Sequence, residues 1–330
     1  MAAALRQLLA RLAADPDRLT DFIKAPMDVM AEAGLTDKEK HALTSRDQGQ
    51  IQLAVIEDLI DGQPAERPGQ DAESRSGRNG HRGQLVIVGT GLRTTGHFTA
   101  EALAWIRAAD KVLYVVGDPV AEEVLRTLNP DGVESLQVLY GEGKERQQTY
   151  DQMAERILTC VRSGMRVCAA FYGHPGVFVY PSHVALRQAR AEGYSAIMLP
   201  GISAEDCLFA DIGIDPAAYG CQSYEATDFL FSERRIEPSA ALVLWQVGVV
   251  GNTTFTAGEY DRSLMPLLIA KLCEIYPPQH QVTAYEASVH IGCAPKLFTC
   301  PLSQLASAPM SAATTLFLSL IHISEPTRRS

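Results

Sequence analysis

The stretch RVCAAFYGHPGVFVYPSHVALRQARAEG, residues 166–193, decides the fold. Its first third is an apolar run that reads as a buried strand, and its last third reads as a helix opened by Pro181. Between them stand Gly173, His174, Pro175 and Gly176. Glycine lets a ligand approach the backbone, and proline freezes the shape of the loop. At the end of a parallel strand this builds a concave wall whose main-chain groups can hydrogen-bond an adenine or an amino-acid moiety.

The alternation extends outward in both directions. QLVIVGTGL, from Gln84, is an apolar strand ending in a glycine loop, and TAEALAWIRAAD is a helix. KVLYVV, VAEEVLRTL, YDQMAERILTCVRSG and SAIMLPG continue as strand, helix, helix and strand. Nearly unbroken apolar strands alternating with helices predict an α/β fold with a largely parallel sheet. Past about residue 240 the pattern is mixed: ALVLWQVG and QVTAYEAS read as strands, and SLMPLLIAKLCEIY as a helix.

Two further loops repeat the logic of the first. LPGISAEDCLFADIGID (199–215) is a strand end, a Pro-Gly pair and a helix capped by Ser203; LVLWQVGVVG (242–251) is a strand running into Gly248 and Gly251. Three such loops from one sheet are expected to converge on one ligand. GTGLRTTG (89–96) fails the dinucleotide fingerprint, because the sixth residue from Gly89 is Thr94 where a glycine is needed; a tight strand-to-helix turn accounts for it equally well. His174 and His183 do not have the spacing of a metal pair, and no metal site is expected.

Residues 1–61 read as a small helical domain. Leu5, Leu8, Leu9 and Leu12, then Leu19, Phe22 and Ile23, recur at helical spacing. Pro16 and Pro26 stand near helix starts. GLTDKE (34–39) supplies a glycine stop and a capping box from Thr36 to Glu39. A last helix is expected over about 47–60. The stretch DGQPAERPGQDAESRSGRNGHRG (61–83) has no large apolar residue, so residues 62–83 form a flexible linker. At the other end, LSLIHISEPTR (318–328) fits no expected strand or helix. It resembles the translation of a sequencing-library adapter appended to an interrupted gene; 318–330 is therefore expected to be a non-native tail, with a natural disordered tail as the alternative.

Composition narrows the class. The 330 residues carry a net charge of −10 and 46% hydrophobic side chains. That supplies a core and argues against a nucleic-acid binder working through a basic face. No stretch approaches the roughly 18 apolar residues of a membrane span, and the start MAAALRQLLARLAADPDRL lacks a signal-peptide core. Seven cysteines without a CxxC pair read as thiols of a reducing cytoplasm.

VIVGTGL, FYGHPGVFV, LPGISAEDCLFADIGI and LVLWQVG stand in the order found in the tetrapyrrole-methylase superfamily of S-adenosylmethionine methyltransferases. YGHPGVFVYPSH, LPGISAEDCLFADIGIDP and SYEATDFL closely resemble the borosin α-N-methyltransferases, which methylate backbone amides of a ribosomally made peptide. The resemblance covers roughly 84–317. It implies a two-lobed α/β methyltransferase behind the helical domain, S-adenosylmethionine as cofactor and a homodimer. The cofactor pocket would be lined by Tyr172, His174, Pro175 and Val177 from the first loop, Ser203 and Ala204 from the second, and Gln246, Val247 and Gly248 from the third. Phe178, Cys207, Leu208 and Phe209 are expected in the core. SYEATDFLF (223–231) is either a peptide-channel wall or ordinary sheet.

A peptide N–H is a poor nucleophile because its lone pair is delocalised into the carbonyl. Methylation needs donors at the carbonyl oxygen, a base for the N–H and the methyl held in line. By resemblance Arg146 polarises the amide oxygen, Tyr150 assists proton removal or holds the oxyanion, and Tyr140 orients the peptide. Gln137 stands where the family often has another tyrosine. Arg146 and Tyr150, four apart, would share a helix face. The helical segment, with MDVMAEAGLTDKEKHAL, is similar to the domain that begins separate borosin precursors, and so implies a domain docking the substrate, in cis or across a dimer; a stabilising cap is the alternative. The peptide itself would belong to this chain or to a separate precursor. Two other functions stay open: a methylase acting on a porphyrinoid small molecule, and a silent scaffold that binds the cofactor and a peptide.

Overall fold

The structure is a computed structural model that describes residues 4–14, 18, 21–22, 24–45, 47, 50–51, 53–55, 57, 83–93, 96–290 and 292–320. The expected linker up to residue 82, the end of the expected 47–60 helix and residues 321–330 lie outside these. In chain order the elements are α1 (Ala4–Ala14), α2 (Pro26–Glu32), α3 (Asp37–Ser45), β1 (Gln84–Gly89), α4 (Ala100–Ala108), β2 (Lys111–Val115), α5 (Pro119–Leu128), β3 (Val133–Ser135), α6 (Arg146–Arg162), β4 (Arg166–Phe171), α7 (Tyr180–Ala191) and β5 (Ser195–Met198). There follow α8 (Ala204–Ile212), α9 (Pro216–Tyr219), β6 (Cys221–Glu225), α10 (Ala226–Phe231), β7 (Ala241–Trp245), α11 (Met265–Cys273), β8 (Gln281–Glu286), β9 (Lys296–Pro301) and β10 (Thr315–Leu318).

The chain divides into two compact units. The first, Met1–Tyr140 with Gln147–Ala204 and Ser288–Ala294, is built on a five-stranded sheet of order β3-β2-β4-β1-β5, every pairing parallel. Side chains alternate across each strand. Val86 and Val88 of β1 meet Ala102 and Ile106 of α4 and Ala121 and Leu125 of α5. Leu85 and Ile87 meet Met153 and Ile157 of α6 and Ala185 and Ala189 of α7 on the opposite face. Helices on both faces explain why the inner strands β2, β4 and β1 read as continuous apolar runs. β1 and β4 are neighbours whose following helices lie on opposite faces, the place where such sheets open a ligand crevice at the strands' carboxyl ends.

The helical segment belongs to this first unit. Leu5, Leu8, Leu9 and Leu12 of α1 pack with Val29, Met30, Leu43, Ile51 and Val55, and the same cluster takes in Val120 of α5 and Cys293. Arg6, nearly buried, pairs with Glu123 at 3.5 Å. The capping box forms as expected: Glu39 Oε2 accepts from Thr36 N at 2.7 Å, and Thr36 Oγ1 accepts from Glu39 N at 3.3 Å, after Gly34 at φ 72. Thr36→Ala is therefore expected to destabilise α3 by about 1 kcal/mol, read as a lower midpoint in denaturant.

One ion-pair cluster sets an acid limit. The Arg156 guanidinium beside Glu134, joined by burial in opposition and Lys111 in support, holds the Glu134 carboxyl down at about 2, against an ordinary 4.5. A depressed carboxylate contributes stability above its unfolded pKa that is lost as pH falls. Stability is expected to decline from about pH 4.5 towards 2, and Glu134→Gln should flatten that part of the acid-unfolding curve.

The second unit, Gly141–Arg146 with Glu205–Ala287 and Pro295–Ser330, has a sheet of order β6-β7-β10-β8-β9. Only β6 and β7 run parallel; the other pairs are antiparallel. Its core joins Leu242, Leu244, Leu268, Leu272, Val282, Leu302 and Leu316. Two expectations need correction here. β7 pairs with β6 and β10, so the 242–251 loop leaves a second sheet, not the one that carries the other two loops. And Leu318, assigned from sequence to the tail, is fully buried and pairs with Leu242 and Val282; the fold uses it.

Candidate functional site

In the first unit the carboxyl ends of β1, β4 and β5 meet backbone to backbone. Gly91 N donates to Gly173 O at 3.2 Å and Gly173 N to Gly91 O at 3.0 Å, while Thr90 N reaches Phe171 O at 2.8 Å. A Cβ on Gly89 would stand 2.3 Å from Gly173 O and 3.3 Å from Cα of Gly201. Gly89, Gly173 and Gly201 thus let three loops pack closely around the Pro175 ring, whose Cδ would lie 2.8 Å from a Cβ on Gly89. Gly91 also turns at φ 70, a left-handed conformation that glycine adopts without strain.

The first loop is fixed from within. His174 Nδ1 accepts from Gly176 N at 2.9 Å, and Val177 N donates to His174 O at 3.1 Å. Ser182 Oγ donates to Pro175 O at 2.5 Å, and a His183 ring nitrogen lies 2.9 Å from Gly176 O. The Tyr172 ring lies over Gly117, where a Cβ would come within 2.8 Å of it. Pro175 is buried; Tyr172, His174 and Val177 are half-buried. Ser203 is buried immediately before α8, and Ala204 is half-buried at its first turn. Phe178, expected in the core, is instead 52% exposed at φ 62. A bulky residue on the left-handed side costs about 1–2 kcal/mol, strain of the kind that gathers at functional loops.

Tyr140 and Tyr150 both pack against the core beneath α6 and α7. Tyr150 sits 6.3 Å, ring to ring, from Tyr180, and Thr149 Oγ1 reaches Leu139 O at 3.5 Å.

The second unit holds the remaining candidates. Segment 141–146 pairs with 253–257: Gly143 N donates to Phe255 O at 2.9 Å and Arg146 N to Thr253 O at 3.0 Å. The Arg146 guanidinium lies over Tyr260, 5.1 Å from the ring centre, a cation–π arrangement. Arg146 is also the first residue of α6, the positive end of the helix, where a cation is electrostatically disfavoured. Helix stability does not explain its place.

Gln246 is left-handed at φ 55, ψ 35; it and Phe178 are the non-glycine residues with positive φ among those described. The Val247 side chain is fully buried in the core, so its backbone alone is available to a ligand. A Cβ on Gly248 would stand 2.1 Å from Ser311 O: this glycine serves close packing. Beside the loop, Trp245 Nε1 donates to Ser223 Oγ at 2.5 Å. Burial pushes the nearby Glu205 carboxyl up, with Ser223 opposing and Asp206 adding to the shift. Tyr224 packs against Phe229 and under Arg234, and Glu225 caps α10 through Asp228 N at 2.6 Å.

Loop residues 172–179 and 199–204 contain no lysine or arginine. Such an uncharged, backbone-rich lining suits a sulfonium cofactor such as S-adenosylmethionine and is poor for a phosphate. Among the described residues no group of three or more His, Cys, Asp or Glu could hold a metal, and no helix is long and apolar enough to cross a membrane.

A family model described as Tetrapyrrole (Corrin/Porphyrin) Methylases matches residues 84–306. The chain belongs to this family. The tetrapyrrole-methylase fold is seen again in uroporphyrin-III-C-methyltransferase from Thermus thermophilus, with TM-score 0.51 and 18% identity over 72% of this chain and 92% of that one. The same enzyme complexed with S-adenyl homocysteine gives 0.50 and 16%, over 72% and 92%. Curated relatives lie closer. A methyltransferase/ribosomally synthesized cyclic peptide dendrothelin A precursor of Dendrothele bispora is 50% identical over 63% of this chain and 49% of the relative. A methyltransferase/type I borosin cyclic peptide precursor of Coprinopsis marcescibilis is 49% identical over 64% and 54%. The omphalotin A precursor of Omphalotus olearius is 48% identical over 63% and 49%. The borosin resemblance read from the loop motifs is thus borne out, and the chain spans about half the length of the curated relatives it matches.

Sequence reasoning missed Tyr260, Gly117, Ser182 and the role of His183. The first two lie 114 and 55 positions from the residues they meet, Arg146 and Tyr172, and no local signal marks them.

Proposed function

We propose that the chain is an S-adenosylmethionine-dependent methyltransferase that methylates backbone amides of a ribosomally made peptide. The observation that carries this is Arg146, held over Tyr260 at the head of the helix that bears Tyr150, in a chain that over 63% of its length is about half identical to methyltransferase/cyclic-peptide precursors. Bound S-adenosylmethionine would supply an electrophilic methyl group on a cationic sulfur. The chain's own residues do the rest. Arg146 donates to the amide oxygen, where negative charge gathers as the nitrogen becomes nucleophilic. Tyr150 takes part in removing the N–H proton or donates to the same oxygen, and Tyr140 orients the peptide. Tyr172, His174, Pro175, Val177, Ser203, Ala204 and the backbone of 246–248 hold the cofactor.

The helical segment 1–61 is read as the domain that docks the substrate region. In support, α1 lays its leucine face on Val120 and joins Arg6 to Glu123, a ready-made seat on the enzyme's own α5; tethering of this kind raises effective concentration. A homodimer in the cytoplasm, with the peptide on this chain or a separate precursor, completes the reading. The test supplies S-adenosylmethionine with either an apolar precursor peptide or a porphyrinoid acceptor. Methyl groups located by fragmentation on peptide backbone nitrogens are the expected result; turnover on the porphyrinoid alone would overturn it.

A further inference from the structure

The third loop is held by a turn that it does not contain. Glu286, the last residue of β8, has a side chain only 15% exposed. Its Oε1 accepts from Thr314 Oγ1 at 2.6 Å and from Ser311 N at 3.2 Å, and its Oε2 accepts from Lys296 Nζ at 3.2 Å. Ser311 N also reaches Thr314 Oγ1 at 2.7 Å, and Thr314 N donates to Ser311 O at 3.1 Å. The carboxylate therefore templates the 311–314 turn. That turn in turn grips the loop: Val247 N donates to Thr314 O at 3.1 Å, and Ser311 O occupies the space a Cβ on Gly248 would need, 2.1 Å away. Between strand and grip sits Gln246 in its left-handed conformation, which a released loop would not keep. Burial alone would raise the Glu286 carboxyl, but Ser311, Thr314 and Lys296 outweigh it and hold it below the ordinary carboxylate range, so the acceptor stays ionised at neutral pH.

We propose that Glu286 is a positioning residue for cofactor binding: acting through Ser311 and Thr314, it fixes Gln246–Gly248 in the shape that receives S-adenosylmethionine, without touching the cofactor itself. The proposal rests on reading the 246–248 loop as part of the cofactor pocket. Losing the two hydrogen bonds that one acceptor oxygen takes from Ser311 and Thr314 should be felt across the loop.

The test titrates S-adenosylhomocysteine into the full chain by calorimetry, alongside thermal midpoints, for the wild type, Glu286→Ala, Glu286→Gln and Thr314→Val. Glu286→Ala is expected to raise Kd about tenfold or more. Glu286→Gln, whose amide oxygen still accepts from Ser311 and Thr314, should stay within about threefold of wild type. Thr314→Val, nearly isosteric, should weaken binding in the same direction as alanine and keeps the test open if Glu286→Ala does not fold. In turnover the loss should appear in KM for S-adenosylmethionine, with kcat little changed. Lower thermal midpoints with unchanged Kd would overturn the proposal, leaving Glu286 a purely structural residue. A glutamine variant as weak as alanine would also overturn it, by assigning the effect to charge. A wild-type chain that binds no S-adenosylhomocysteine would instead overturn the cofactor reading of the loop.

Discussion

Arg146→Ala is expected to lower the rate of methyl transfer by about 10²–10³-fold, the cost of losing one donor aimed at a developing oxyanion, while affinity for S-adenosylhomocysteine stays within a few-fold. The asymmetry follows from the chemistry. An amide nitrogen is unreactive while its lone pair is shared with the carbonyl, and the barrier falls only if the oxygen's growing charge is met. Arg146 sits at the positive end of α6, where it does nothing for the helix, and is braced by Tyr260 at 5.1 Å. Removing it should leave the fold and the first loop as they are. Calorimetry with single-turnover rates checks both halves. Equal losses of binding and rate would move Arg146 from chemistry to cofactor retention.

Gly89→Ala is expected to cost about 3 kcal/mol of stability, the upper end of the overpacking range, and to abolish cofactor binding. The added methyl would lie 2.3 Å from Gly173 O and 2.8 Å from Pro175 Cδ. Both neighbours are held, Gly173 by its paired bonds to Gly91 and Pro175 by Ser182, so neither yields cheaply. Denaturant unfolding measures the first effect and ligand titration the second. A variant of wild-type stability would mean that the three-loop junction is looser than its contacts imply.

The fold was legible where its signals are local. The apolar runs of β1, β2 and β4 announce strands covered on both faces, and the Thr36–Glu39 box is written in four residues. β3 is a half-buried three-residue strand, Val-Glu-Ser, and β9 leaves its first four residues exposed at a sheet edge; neither has an apolar period to read. In sequence the end of β10 reads as tail, because Leu318 is indistinguishable from its flank until Leu242 and Val282 are seen beside it. The site divides in the same way. Glycines and prolines marked the loops, since they encode backbone shape directly. Which sheet a loop leaves, and that Tyr260 would sit under Arg146, depend on pairings far apart in sequence. Phe178, an apolar residue amid apolar neighbours, reads as core, and nothing local records its left-handed backbone.

The most direct measurement is the intact mass of the purified chain, and of an apolar precursor peptide supplied with it, before and after incubation with S-adenosylmethionine. Mass gains in steps of about 14 Da per methyl, on chain or peptide and located by fragmentation on backbone nitrogens, are what a peptide N-methyltransferase must produce. Unchanged masses on both, with S-adenosylhomocysteine bound in a parallel titration, would contradict the account and leave a scaffold that holds the cofactor without using it.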